Sequence, residues 1–126
     1  MKLRIKGNSL RLRITPSEMT RLLESGRIEE TIHFRPDASL TYALLTDPTR
    51  VLGSDLCLTY QTQEVAVVIA AARARQWAAG PEVGVYADID TGAGTLQLAV
   101  EKDFACLDNS ETDNRDTFPH PAVGSC

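Results

Sequence analysis

The chain is 126 residues long, 43% hydrophobic and 24% charged, with a formal net charge of −4. That length leads us to expect one α+β domain over residues 1–126 with enough chain for a core, and the acidic balance excludes a general nucleic-acid binder while leaving room for a local basic face. No apolar run is long enough to cross a bilayer and the first residues lack the apolar centre of a signal peptide, so a cytoplasmic protein with no membrane contact is expected.

Residues Lys2 to Thr15, KLRIKGNSLRLRIT, alternate apolar and basic positions on both sides of Gly7-Asn8-Ser9. Leu3 and Ile5 sit between Lys2, Arg4 and Lys6, and Leu10, Leu12 and Ile14 enclose Arg11 and Arg13. Such alternation marks half-buried strands. The apolar parity changes from odd to even across the break, so a single straight strand would divide its apolar set between two faces. A two-residue turn at Gly7-Asn8 removes the conflict, placing Ile5 opposite Leu10, Arg4 opposite Arg11, Leu3 opposite Leu12 and Lys2 opposite Arg13. A bulge at the same place is the competing geometry. In the hairpin all apolar residues share one face, and Lys2, Arg4, Lys6, Arg11 and Arg13 share the other. Like charges directly opposite each other destabilise a sheet by a few tenths of a kcal/mol per pair. Cations with no acid among them therefore need a partner: carboxylates on the same sheet, or an anionic ligand or nucleic acid.

Thr15-Pro16-Ser17-Glu18 reads as a capping box with proline at the first helical position. Met19, Leu22 and Leu23 then form one apolar face of a helix that Gly26 closes. Arg27 to Phe34 is a strand with Ile28, Ile32 and Phe34 on one face, and Glu30 falls among them. After the turn Arg35-Pro36-Asp37 comes a strand marked by Leu40, Tyr42 and Leu44. Asp47-Pro48 and Gly53-Ser54-Asp55 bracket a loop. Leu56, Leu58 and Tyr60 alternate in the next strand, and the valine-rich run Glu64 to Ile69 is a buried one. Ala70 to Ala79 is helical, with Ala74 and Trp77 on its apolar side, and Gly80-Pro81 ends it. Val83, Val85 and Ala87 mark a seventh strand, Asp90 to Gly94 a turn, and Leu96, Leu98 and Val100 an eighth strand. From Asp103 onward the composition becomes acidic and irregular.

The order strand, strand, helix, strand, strand occurs twice at an offset of 55 residues, as in Leu10 and Val65, Ile14 and Ile69, or Ile28 and Val83. We therefore expect about eight antiparallel strands and two helices in an α+β fold. The pseudo-repeats, about 2–46 and 55–102, form two four-stranded antiparallel units, each with one helix, related by a pseudo-twofold axis. An acidic tail, 103–126, follows.

Candidate chemistry is sparse. The basic hairpin offers guanidinium donors to phosphate or carboxylate, and Asp103, Asp108, Glu111, Asp113 and Asp116 of the tail could fold back to quench it. The three cysteines are odd in number and lack a CxxC spacing, which fits a reducing compartment. Cys106, His120 and Cys126 are zinc-ligand types, but their spacing matches no established zinc motif, and Cys106 packed beside Phe104 is the structural reading. Cys57 or Cys106 with His33 or His120 is the nucleophile–base combination to weigh against inert thiols. No glycine-rich phosphate loop precedes a helix, and no cofactor is expected.

Two resemblances follow from these stretches. GNSLRLRIT followed by a helix resembles the opening of AbrB/MazE-type antitoxin domains over residues 4 to about 25, which implies swapped, DNA-binding hairpins. Across the chain, the opening MKLRIKGNSLRLRIT, the strand RIEETIHF, a Trp-containing helix and the ending VEKDFACL…DTFPHP…C resemble a family of small bacterial proteins of unknown function. Residues 1–34, 64–88 and 100–126 carry that pattern. It implies a cytosolic bacterial protein whose tail belongs to the domain, and it brings no activity or site. The reading from sequence is a non-enzymatic binding or interaction module using Lys2, Arg4, Lys6, Arg11 and Arg13. A protein partner or a homodimer through a strand edge is its expected assembly, and the pI near 5.1 disfavours nucleic acid. The alternative is a small enzyme or zinc protein using Cys106, His120 and Cys126.

Overall fold

The computed structural model describes residues 1–49 and 55–104. The elements run β1 (Lys2–Lys6), β2 (Ser9–Ile14), α1 (Pro16–Ser25), β3 (Arg27–Arg35), β4 (Ala38–Asp47), β5 (Leu56–Gln61), β6 (Glu64–Ala70), α2 (Ala71–Ala79), β7 (Gly84–Asp90) and β8 (Thr95–Lys102). Among the described residues these are the eight strands and two helices of the α+β reading. No helix there is long and apolar enough to cross a membrane.

Local chemistry fixes the first third of the chain. β1 and β2 pair in the register that the parity change demands, with Lys2 opposite Arg13, Leu3 opposite Leu12, Arg4 opposite Arg11 and Ile5 opposite Leu10. Gly7 takes φ +55 in the turn, where only glycine is unstrained. The Glu18 amide donates to Thr15 Oγ1 at 3.3 Å, and the Thr15 amide donates to Glu18 Oε1 at 2.9 Å, closing the capping box. Gly26, at φ +80, ends α1 with its amide donating to the Leu22 carbonyl at 2.9 Å.

The sheets are assembled differently from the expected units. One has the order β1-β2-β8-β7 and the other β3-β4-β6-β5. Each hairpin is antiparallel, but β2 runs parallel to β8 and β4 runs parallel to β6. Each sheet thus joins a hairpin from each half of the chain, instead of four consecutive strands. The connection between β2 and β3 is little more than the capped helix, and across it the chain passes from one sheet to the other.

Exchanging the halves (β1 to β4 for β5 to β8) converts one strand order into the other. The pair Leu3–Leu12 corresponds to Leu58–Val67, both 55 residues later. In the second hairpins the spacing lengthens: Ile28–Leu44 corresponds to Val85–Val100. Val85, not Val83, therefore takes the place of Ile28, and Val83 precedes β7 and is exposed.

One core joins the two sheets. Leu12, Ile14, Val85, Leu98 and Val100 come from the first, Ile28, Leu44, Leu56, Val67 and Ile69 from the second, and Leu22, Ala74 and Trp77 from the helices. Trp77 is fully buried, and its indole Nε1 donates to the Val83 carbonyl at 3.3 Å. With the apolar faces of both sheets turned to this core, alternation points Arg11, Arg13 and their neighbours away from it.

Candidate anion-binding face

The outer face of the first sheet is built in three rows across β1, β2, β8 and β7. They read Lys2–Arg13–Glu101–Gly84, Arg4–Arg11–Ala99–Tyr86 and Lys6–Ser9–Gln97–Asp88. All the sequence-chosen cations lie here, on one half of a continuous surface. The other half is acidic and amide-bearing, so the face carries a charge gradient from edge to edge.

Glu101 sits at the boundary. Its side chain is 12% exposed, and its Oε1 receives both Arg11 Nε at 3.2 Å and Arg13 Nε at 3.4 Å. Its Oε2 accepts from the Tyr86 hydroxyl at 2.7 Å. Burial, reinforced by the bond to Glu101 and its charge, raises the Tyr86 hydroxyl above its ordinary pKa against the opposing pull of Arg11 and Arg13, so the tyrosine stays a donor. Lys2 Nζ lies 3.1 Å from Asp103, the first residue of the acidic tail. The neutralising partners are thus one carboxylate on the same sheet and one at the start of the tail; Asp108, Glu111, Asp113 and Asp116 lie outside the described residues.

Arg4 and Lys6 differ from the other three. Among the described residues, no carboxylate pairs with either side chain. They line a shallow depression of about 130 Å³ with Ser9 and Arg11. A second hollow of about 290 Å³ adjoins it, where Ser9 and Arg11 meet Tyr86, Asp88 and Gln97.

Gly84 makes room for Tyr86, which lines this second hollow. A Cβ there would stand 2.6 Å from the Val100 carbonyl oxygen, 2.8 Å from Glu101 Cγ and 3.0 Å from the Tyr86 hydroxyl. Only glycine lets Tyr86 lie down along the sheet toward Glu101, and the residue remains 54% exposed. Glu101 and Tyr86 escape a reading of the sequence because their role depends on β8 pairing with β2. The alternation of Leu96, Leu98 and Val100 does put Gln97, Ala99 and Glu101 on the opposite face, but nothing local says which strand they adjoin.

The other candidates are not gathered. Cys57, half-buried, is on β5, and His33 is on β3, the two edges of the second sheet with β4 and β6 between them. Three strand steps of about 4.8 Å already separate them by about 14 Å, and the register adds more, since Cys57 shares a row with Arg27 rather than His33, too far for a nucleophile and its base. Cys106, His120 and Cys126 lie outside the described residues. Among the described residues no cluster of His, Cys, Asp and Glu could hold a metal ion. A further concavity, about 420 Å³, is an apolar groove beside α1 lined by Ile14, Met19, Leu23, Ala78 and Phe104, apart from the basic rows.

The comparisons with known proteins give the antitoxin resemblance of the opening no support. No curated protein and no solved structure matches the chain. The sequence profile of a family of unknown function, DUF7009, matches residues 1–122, in keeping with the whole-chain resemblance, and the chain belongs to that family.

Proposed function

We propose that the outer face of the first sheet binds an extended polyanion, a single-stranded nucleic acid, and that the protein is a binding module. The observation that carries this reading is the pair Arg4 and Lys6, without carboxylate partners among the described residues, beside two arginines held in place by Glu101. Pre-positioned guanidinium groups next to unpaired cations suit a phosphate backbone. Tyr86, lying along the sheet with more than half its surface open, adds a stacking platform of the kind single strands use and duplexes do not.

The second sheet supports the same reading. The positions equivalent to Lys2, Arg4, Lys6, Arg11 and Arg13 are Cys57, Thr59, Gln61, Ala66 and Val68. The same hairpin geometry therefore forms there without a cation, its one charged position on that face being Glu64, so the cations are not a requirement of the fold. We read the matched halves as a duplication in which only the first hairpin carries a basic face. Cysteine usage supports a reducing, cytosolic setting, and the whole-chain resemblance implies a bacterial one.

The test is titration of single-stranded and double-stranded oligonucleotides over a salt series, with an Arg4→Ala/Lys6→Ala variant beside the wild type. We expect single strands to bind more tightly than duplexes. Losing two phosphate contacts should flatten the slope of log K against log salt by about 1.4 for a single strand. Absence of binding at low salt, or binding that the variant leaves unchanged, refutes the reading.

A further inference from the structure

Four strands lie at sheet edges, and three of them are defended. β1 carries Lys2, Arg4 and Lys6 on its outer face, and edge lysines discourage pairing with another chain. β5 and β7 approach one another across the two sheets. β3 has neither protection. Arg27 and Ile28 are covered, but all seven residues from Glu29 to Arg35 are exposed, with no lysine or proline among them. Ile32 is 48% exposed and Phe34 66%. They lie on the face that, further along the strand, feeds Ile28 into the core.

The exposed run reads EETIHFR, and its midpoint is Ile32. We infer that β3 is a self-association edge, along which two copies of this chain pair antiparallel from Glu29 to Arg35 with Ile32 facing Ile32 on the twofold axis. In this register Thr31 lies opposite His33 and Glu30 opposite Phe34. The acidic end, Glu29-Glu30, meets Arg35 of the second copy, and symmetry makes that contact twice, in exchange for the exposed pairs these groups make within one chain, Glu29 with Arg27, Glu30 with the Met1 ammonium and Arg35 with Asp37. A bulge between His33 and Arg35 aligns Arg35 with Ala38 and turns it from its regular side. Because Glu29 and Glu30 alternate across the strand, one of them reaches the guanidinium on either side. A register centred on Thr31 would instead oppose Arg27 to Arg35, two like charges. Self-complementarity thus favours the Ile32 register over the Thr31 one, and a twofold contact of this kind closes on itself instead of propagating. The second sheet then continues as eight strands across two copies. This inference does not rest on the basic face, which belongs to the other sheet.

The experiment is sedimentation equilibrium of the full chain, with Arg35→Glu and Glu29→Lys/Arg35→Glu variants, circular dichroism verifying that each folds. We expect the mass of two chains. Arg35→Glu should raise the dissociation constant on the order of tenfold, since each like-charge contact occurs twice, and the double exchange should restore most of the loss. In a background with Cys57, Cys106 and Cys126 replaced by serine, Ile32→Cys should cross-link to itself under mild oxidation, whereas Glu24→Cys on α1 should not. A single-chain mass at the highest soluble concentration overturns the inference. So does a dimer that Arg35→Glu leaves unmoved and Ile32→Cys fails to cross-link.

Discussion

Glu101 controls how much of the hairpin's charge is left for a ligand. It holds Arg11 and Arg13 through one oxygen and Tyr86 through the other, so it both orders the donors and competes with any anion for them. Charge-assisted hydrogen bonds are strong when both partners are fixed and partly desolvated. Replacing the carboxylate with an amide keeps the shape and removes the competitor. Glu101→Gln should therefore tighten oligonucleotide binding several-fold at low salt while lowering stability by about 1 kcal/mol, read from urea unfolding beside the binding titration. Weaker binding in the variant would mean that Glu101 serves only to position the arginines. None of this was legible locally. The residues of Glu101's network stand far apart in the chain, and only the parallel pairing of β2 with β8 unites them.

The elements, by contrast, were largely readable. The hairpin register follows from parity alone, because a slip of one residue would expose Leu10, Leu12 and Ile14 together. Helix α1 follows from its capping box, and the structure adds a second role for the same carboxylate. Glu18 accepts from Thr15 and also from the N-terminal ammonium of Met1, which further pairs with Glu30 at 3.3 Å. Burial raises the Glu18 pKa, but the bonds from the ammonium and from Thr15 outweigh it and leave the carboxyl below its ordinary value. A group with a depressed folded-state pKa stabilises the protein above its unfolded pKa, and that contribution is lost as pH falls through the folded value. Stability should thus be level near neutrality and decline below about pH 4. Glu18→Gln, which can still cap, should lower stability at neutral pH and reduce the acid-side loss. Thermal unfolding between about pH 7 and pH 3 checks this. Equal acid-side losses in variant and wild type would show that the depressed carboxyl lies elsewhere.

At the scale of the molecule, the sequence pattern discloses the number and order of elements but not how they join. A period-2 pattern names the buried face of a strand and is silent about its neighbour. That is why two self-contained four-stranded units were expected, where the chain instead exchanges hairpins between sheets. It is also why the 55-residue offset holds through β1, β2 and α1 and then slips, as loop lengths absorb one or two residues without disturbing the core pairs Ile28–Leu44 and Val85–Val100. The exchange also builds the candidate face. It places the basic hairpin beside β7 and β8, from the far end of the chain, and so supplies Glu101, Gln97 and Tyr86 to a face that neither half forms alone.

The central claim is that this composite face, and no other surface, receives a polyanion. Mapping amide chemical shifts during titration with a short single-stranded oligonucleotide tests it most directly. Perturbations should concentrate on β1, β2 and Tyr86, spreading to Gln97 and Glu101, with the second sheet unmoved. Perturbations centred on the second sheet or the groove beside α1, or none at low salt, would contradict it.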